Sequence, residues 1–437
     1  MKRKLSNLIN LIIPEYKKIG LLKSLNLRII QSFSFLVCFR ILSNKNITNK
    51  DIIIMIRENR LYLGNSHNNH CNTSSEIDNI YKIIKKKNRK IIKISDPLSL
   101  SFYKLKLHEN TLKKLLIIIL NLPINLILLL FFQKFINLFY CYLLEKTKAK
   151  YVLEIMPNIS LCKACKKRDI KIMDIQHGAI SLDHEWYLFR ASQNPISNLK
   201  EYSPTHYFVW DRESKESLIK IGNKSNKIII TNIPKPNLNK SISKELRELK
   251  QCFKSKLVLV TLQYGKWYGK NRNNVLPSEV VNALINVEST LIVFKIHPMI
   301  LKRERIEQAK NILSLRRHLN KSSKIIISSN ESLEQLIQIS NLHITINSSS
   351  CIMASKYGIR TLIVDTNLDK DQAKFYKRYK GIILCGHNKK DELIKLINTQ
   401  CKYPKKQLEN KISMANKISN YLLNSLKKNK YNKFLNS

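Results

Sequence analysis

The chain has 437 residues, 44% hydrophobic and 25% charged, with 77 Lys and Arg against 31 Asp and Glu, for a net charge of +46. Such a length predicts two or three domains and such a composition a packed core. A disordered, collagenous or disulfide-stapled chain is excluded, and only 9 Gly and 11 Pro leave little for flexible linkers. The abundant Lys, Asn and Ile share A/T-rich codons, so part of the charge reflects genome composition. The remainder implies an anionic partner, with a lipid surface or acidic polysaccharide ahead of nucleic acid.

Nine cysteines, an odd number without regular spacing, argue for a reducing, cytoplasmic compartment rather than a disulfide framework. Cys162 and Cys165 form an isolated CxxC between two strands, with no second pair at zinc-site distance, and buried packing is expected. The basic start, MKRKLS, is followed by a short apolar run, Leu8 to Ile13, that Asn10 breaks and Pro14 stops. No signal peptide is expected.

In chain order, the first feature is Leu115 to Phe132, LLIIILNLPINLILLLFF, whose 18 positions approach the ~20 needed to span a bilayer. Asn121, Pro123 and Asn125 interrupt it, and Lys113, Lys114 and Lys134 flank it. A span would separate residues 1–114 from the α/β pattern beyond residue 150, so interfacial contact or a buried helical pair fits better.

From residue 150 short apolar runs alternate with amphipathic stretches. Strands are expected at Tyr151–Ile155, Ile170–Ile175, Tyr207–Trp210 and Lys227–Thr231, with a helix at Asp211–Gly222. The polar stretch Ile233–Asn239 reads as a linker. The pattern then restarts with strands Leu257–Leu262, Thr290–Ile296, Lys324–Ser328, Leu342–Ile346 and Arg360–Asp365. Helices Ser278–Glu288, Arg303–Asn320, Ser332–Ser340 and Cys351–Gly358 alternate with them. Lys405–Lys430 reads as basic helix. The pattern is that of parallel βαβ units in two α/β Rossmann-like halves facing a cleft. The expected boundaries are an acceptor domain 1–240 with helical N-terminal additions, a nucleotide-donor domain 250–400 and a basic helical tail 401–437.

Ligands of such sheets sit at the carboxyl ends of the strands, so the residues just past each strand carry the chemistry. Gln176-His177-Gly178 comes after one, Gln263-Tyr264-Gly265 after another, His297-Pro298 after a third, and Asn347-Ser348-Ser349-Ser350 after a fourth. Serines before a helix add hydroxyl donors to unpaired N–H groups and suit a phosphate, although they also suit simple capping. His297, on a corner stiffened by Pro298, suits donation to a phosphate oxygen, and Lys295 lies two residues earlier. His177 suits a general base, because an ordinary imidazole titrates near ~6.5. Gly178 would permit a tight turn and close ligand approach. Asp183, His184 and Glu185 come shortly after and would orient or replace the base.

These motifs, KIHP at Lys295–Pro298 and NSSS at Asn347–Ser350, make residues 150 to 390 resemble bacterial surface-polysaccharide glycosyltransferases of the GT-B fold. The resemblance is to the sialyl-, polysialyl- and Kdo-transferases that use CMP-activated sugars. The QHG is similar to a loop of capsule and teichoic-acid polymerases in which the His serves as base. Many nucleotide-sugar transferases of this fold carry Glu-Ala after the serines, where this chain has Met353-Ala354, which disfavours a UDP or GDP donor.

The resemblance implies a metal-independent glycosyltransferase of capsular polysaccharide synthesis, without cofactor, moving a sialic-acid- or Kdo-like sugar from a CMP donor to a glycan or lipid-linked glycan. His177, with Asp183 and Glu185, would be catalytic. His297, Pro298, Ser348, Ser349, Ser350, Gln263, Gly265, Gln176 and Gly178 would bind substrate. The enzyme would sit in the cytoplasm, peripherally on the inner membrane, with no nucleic-acid partner. A CDP-polyol phosphotransferase and a non-catalytic glycan- or nucleic-acid-binding protein are the alternatives. No GxxxxGK[ST] or GxGxxG occurs, and Asp369-Lys370-Asp371 is the only DxD-like string.

Overall fold

The computed structural model describes residues 48–56, 75–87, 89–95, 136–182, 187, 203–233, 243–253, 256–262, 276–297, 309–328, 331–365, 368, 370–386, 388–402 and 414–435. Leu115–Phe132, Asp183, His184, Glu185, Gln263, Tyr264, Gly265, Pro298 and Asp369 lie outside them, and so do the expectations placed there.

The described strands form two six-stranded sheets. The first contains β1 (Ile52–Ile56), β2 (Ile91–Ser95), β3 (Tyr151–Glu154), β4 (Lys171–Ile175), β5 (His206–Val209) and β6 (Ile228–Ile230) in the order β2-β1-β3-β4-β5-β6. The second contains β7 (Leu257–Thr261), β8 (Leu291–Lys295), β9 (Lys324–Ser328), β10 (Leu342–Thr345), β11 (Arg360–Ile363) and β12 (Ile382–Leu384) in the order β12-β11-β10-β7-β8-β9. Every pairing is parallel. Helices cover parallel sheets on both faces, and the near-continuous Ile, Val and Leu of β1, β3, β7 and β8 are accordingly buried.

Three differences from the sequence reading stand out. Residues before 150 are not merely helical additions: β1, β2 and the helix Ser75–Lys86 belong to the first sheet's layers. The basic stretch 303–320 contains a helix only at 309–314 among its described residues, followed by a 3₁₀ turn, Leu315–His318. The basic terminal stretch is no free tail. Its helix Met414–Leu435 returns to the first domain and packs on Ser75–Lys86, burying Met414, Ala415, Ile418, Leu422 and Leu426. Tyr421 rests edge-on against Phe208 of β5, with ring centres 5.5 Å apart.

Cys162 and Cys165 are buried thiols on the helix Ile159–Lys166, as packing predicted. Among the described residues no helix is long and apolar enough to cross a membrane.

Candidate active site

The second sheet reverses direction between β7 and β10: β8 and β9 lie to one side of that pair, β11 and β12 to the other. A crevice opens at such a point beyond the strands' carboxyl ends. Register places Ile363, Thr345, Thr261, Lys295 and Ser328 in one row across that edge. His297 and Asn347–Ser350 therefore leave the sheet from the same edge, as the sequence reading required.

The three serines have different fates. Ser350 is 3% exposed, and its hydroxyl lies 3.1 Å from Thr261 Oγ1 and 3.4 Å from His343 Nε2. That burial turns it inward, away from any phosphate. Ser348 Oγ accepts from the Ser350 backbone N–H at 3.2 Å. Ser349 occupies the cap position of the helix Ser350–Lys356 but makes no side-chain capping bond. Capping therefore explains Ser348 and not Ser349. Asn347 is held by Gln372 at 3.0 Å and by the Tyr376 hydroxyl at 2.7 Å.

Beneath the serines lies a residue that the sequence reading missed. His343 is fully buried in β10, between Thr261 Oγ1 at 2.9 Å on Nε2 and Thr361 Oγ1 at 3.2 Å on Nδ1. Burial pushes its pKa down to about 3, so the ring is neutral and bridges hydroxyls from β7 and β11. The available signal was a His flanked by Leu and Ile in a strand of a sheet covered on both faces.

Lys295 turns aside. Its ammonium donates to the Glu331 carbonyl at 2.6 Å. Burial alone would raise the Glu331 carboxyl, but hydrogen bonds from Ser243 and Ser328 hold it below its ordinary range. His297 is half-buried.

In the first domain, Gln176 is 3% exposed. Its amide donates to the Gly178 carbonyl at 2.8 Å and Ser214 Oγ at 3.0 Å, and accepts from the Trp210 N–H at 2.6 Å. These bonds make Gln176 a loop-shaping residue rather than a substrate contact. Gln176→Leu is expected to strand the buried Trp210 N–H and cost about 1–3 kcal/mol, visible as a lowered thermal midpoint. An unchanged midpoint would sink that account. His177 is exposed. Gly178 does not take the left-handed conformation that a tight turn would demand.

What Gly178 does supply is proximity. A Cβ placed on it would stand 4.0 Å from Ser349 Oγ. The loop ending the first domain's β4 and the serines ending the second domain's β10 therefore meet. His177 and Ser349, 172 positions apart in sequence, flank that meeting point.

No protein-family model and no curated protein matches the chain. Solved structures do match. The UDP-GlcNAc 2-epimerase of Neisseria meningitidis bound to UDP-GlcNAc is 14% identical, covering 86% of this chain and 99% of its own, with a TM-score of 0.50. The Methanocaldococcus jannaschii UDP-GlcNAc 2-epimerase in complex with UDP-GlcNAc and UDP is 17% identical over 86% and 99%, also at 0.50. A putative Listeria monocytogenes UDP-N-acetylglucosamine 2-epimerase is 13% identical over 85% and 95%, again at 0.50. The fold is GT-B. At such identities the likeness speaks for architecture alone. In this GT-B chain the helix after the serines carries Met353, 7% exposed in the hydrophobic core. A buried thioether there offers no carboxylate to ribose hydroxyls.

Proposed function

We propose that the protein is a glycosyltransferase that takes a sugar from a nucleotide-linked donor, CMP-linked in the favoured reading, onto a glycan hydroxyl. The observation that carries this reading is the approach of Gly178, the residue after His177, to Ser349 of the other domain. His177 would take the acceptor hydroxyl's proton as the oxygen attacks the anomeric carbon. The bond from that carbon to the phosphate oxygen breaks, and the electron pair leaves with the nucleotide. Hydroxyls of Ser348 and Ser349 and the imidazole of His297 would stabilise the departing phosphate charge. The sequence resemblance supports cytidine over uridine.

A capsular glycan or lipid-linked acceptor at the cytoplasmic face of the membrane belongs to the same reading, supported by the +46 charge. The second reading, a UDP-sugar enzyme, is favoured by the matching structures that hold UDP-GlcNAc.

A thermal-shift series with CMP, CDP, UDP, GDP and their sugar conjugates separates these readings. A ligand at ~100 times its Kd stabilises by ~2.7 kcal/mol. Cytidine nucleotides alone should raise the midpoint, and His297→Ala should abolish the rise. A shift with UDP alone would overturn the donor, and no shift with any nucleotide would overturn the enzyme reading.

A further inference from the structure

The helix Ser350–Lys356 meets the first domain at both ends. At its start Ser349 faces Gly178. At its end Lys356 Nζ stands 3.4 Å from Asp211 Oδ2 and 3.5 Å from Glu213 Oε2. Neither of these two buried carboxylate oxygens receives a hydrogen bond, so the Lys356 charge is what offsets their desolvation and mutual repulsion.

Arg378 completes the contact. Its guanidinium donates to Glu216 Oε2 at 2.8 Å, the Glu213 carbonyl at 3.2 Å and Ser217 Oγ at 3.4 Å. Tyr379 Oη donates to Asp211 Oδ1 at 3.4 Å. Burial, and then the Asp211 charge, drive that phenol far above its ordinary pKa, so it stays a donor. Two cations and a phenol of the second domain thus grip the first turns of the helix Arg212–Lys220.

The same turns hold the His177 loop. Asp211 caps that helix by accepting from the Ser214 N–H at 2.9 Å, and Ser214 Oγ accepts from Gln176 at 3.0 Å. A path of polar contacts therefore runs from Lys356 through Asp211, Ser214 and Gln176 to the Gly178 carbonyl, next to His177 in the chain. A seven-residue helix spans only about 10 Å, so its two footholds are short levers on one another.

We infer that Lys356 and Arg378 are positioning residues: their interdomain clasp sets the separation between His177 and the serine run, and the two-domain site is assembled only while it is closed. The inference rests on the assignment of His177 and the serines to one site.

Amide hydrogen exchange on the full chain tests it without needing turnover. In Lys356→Ala/Arg378→Ala the amides of Gln176 and Trp210, in the opposite domain and hydrogen-bonded to the Phe208 carbonyl and to Gln176 Oε1, should exchange about tenfold faster. Lys356→Arg/Arg378→Lys should return them most of the way. Faster exchange confined to 212–220, or a conservative pair no better than the alanines, would overturn the clasp. Should the alanine pair unfold globally, Glu216→Gln removes the outermost interdomain ion pair, with Arg212→Gln as the control for the pair that Glu216 also makes within its own helix. Glu216→Gln should speed the same amides to a smaller degree, and no change there would be equally fatal.

In the transfer assay the alanine pair should lower kcat and leave the donor KM unchanged. A wild type without turnover would refute the transferase reading and leave the exchange result to decide the clasp.

Discussion

Replacing His177 by alanine should slow sugar transfer by about 10²–10⁴-fold, the range expected when a positioned general base is lost, with nucleotide affinity retained. The split arises from where the groups sit. His177 is an exposed side chain on a first-domain loop, while Ser348, Ser349 and His297 belong to the second domain. Exposure also keeps the cost of the alanine to folding small. Single-turnover rates and nucleotide titrations on the same preparation check both halves. A rate within about threefold of wild type would remove His177 from the chemistry. A parallel loss of nucleotide affinity would place it at the phosphate instead.

The second large effect is on stability in acid. Unfolded, His343 takes a proton near ~6.5; folded, burial pushes its pKa down to about 3. Between those values the unfolded chain binds more protons, so this histidine costs about 1.4 kcal/mol per pH unit as the solution is acidified. Above pH ~6.5 both states are neutral and the contribution is constant. His343→Gln removes the titration. The variant should be less stable than wild type at pH 7.5, because an amide fits poorly between Thr261 and Thr361. That gap should narrow steadily below pH ~6.5. Denaturant midpoints at pH 7.5, 5.5 and 4.5 measure it, and a gap independent of pH would mean that the ring is protonated inside the fold.

The alternating strands from Tyr151 onward were legible because a parallel sheet covered on both faces demands short unbroken runs of Ile, Val and Leu. From β3 to β11 the observed strands start or end within a residue or two of their expected positions, as with β4 at Lys171–Ile175 and β10 at Leu342–Thr345, whereas the three-residue β12, Ile382–Leu384, was not expected. β1 and β2 escaped notice although IIIMI is as apolar as any of the others. They stand apart in the chain, before the region with a clear rhythm, and an isolated strand signal carries no partner information. The helix Lys244–Cys252 lies between the expected linker Ile233–Asn239 and β7, in a stretch that was given no element. Within the site, a QHG after one strand and NSSS after another were visible as residue types at strand ends. The different fates of Ser348, Ser349 and Ser350 were not, because a hydroxyl's direction depends on which neighbour accepts or donates.

By itself the sequence determined the local chemistry: which runs are buried, where strands stop, and which polar residues stand at their carboxyl ends. Those features depend on near neighbours along the chain. Only the tertiary structure decided that Gly178 comes to Ser349, that Lys356 sits between Asp211 and Glu213, and that the last helix closes onto the first domain. Such contacts join residues more than 140 positions apart. Their selection depends on the packing of two whole sheets, a sum over many apolar contacts that no local pattern encodes.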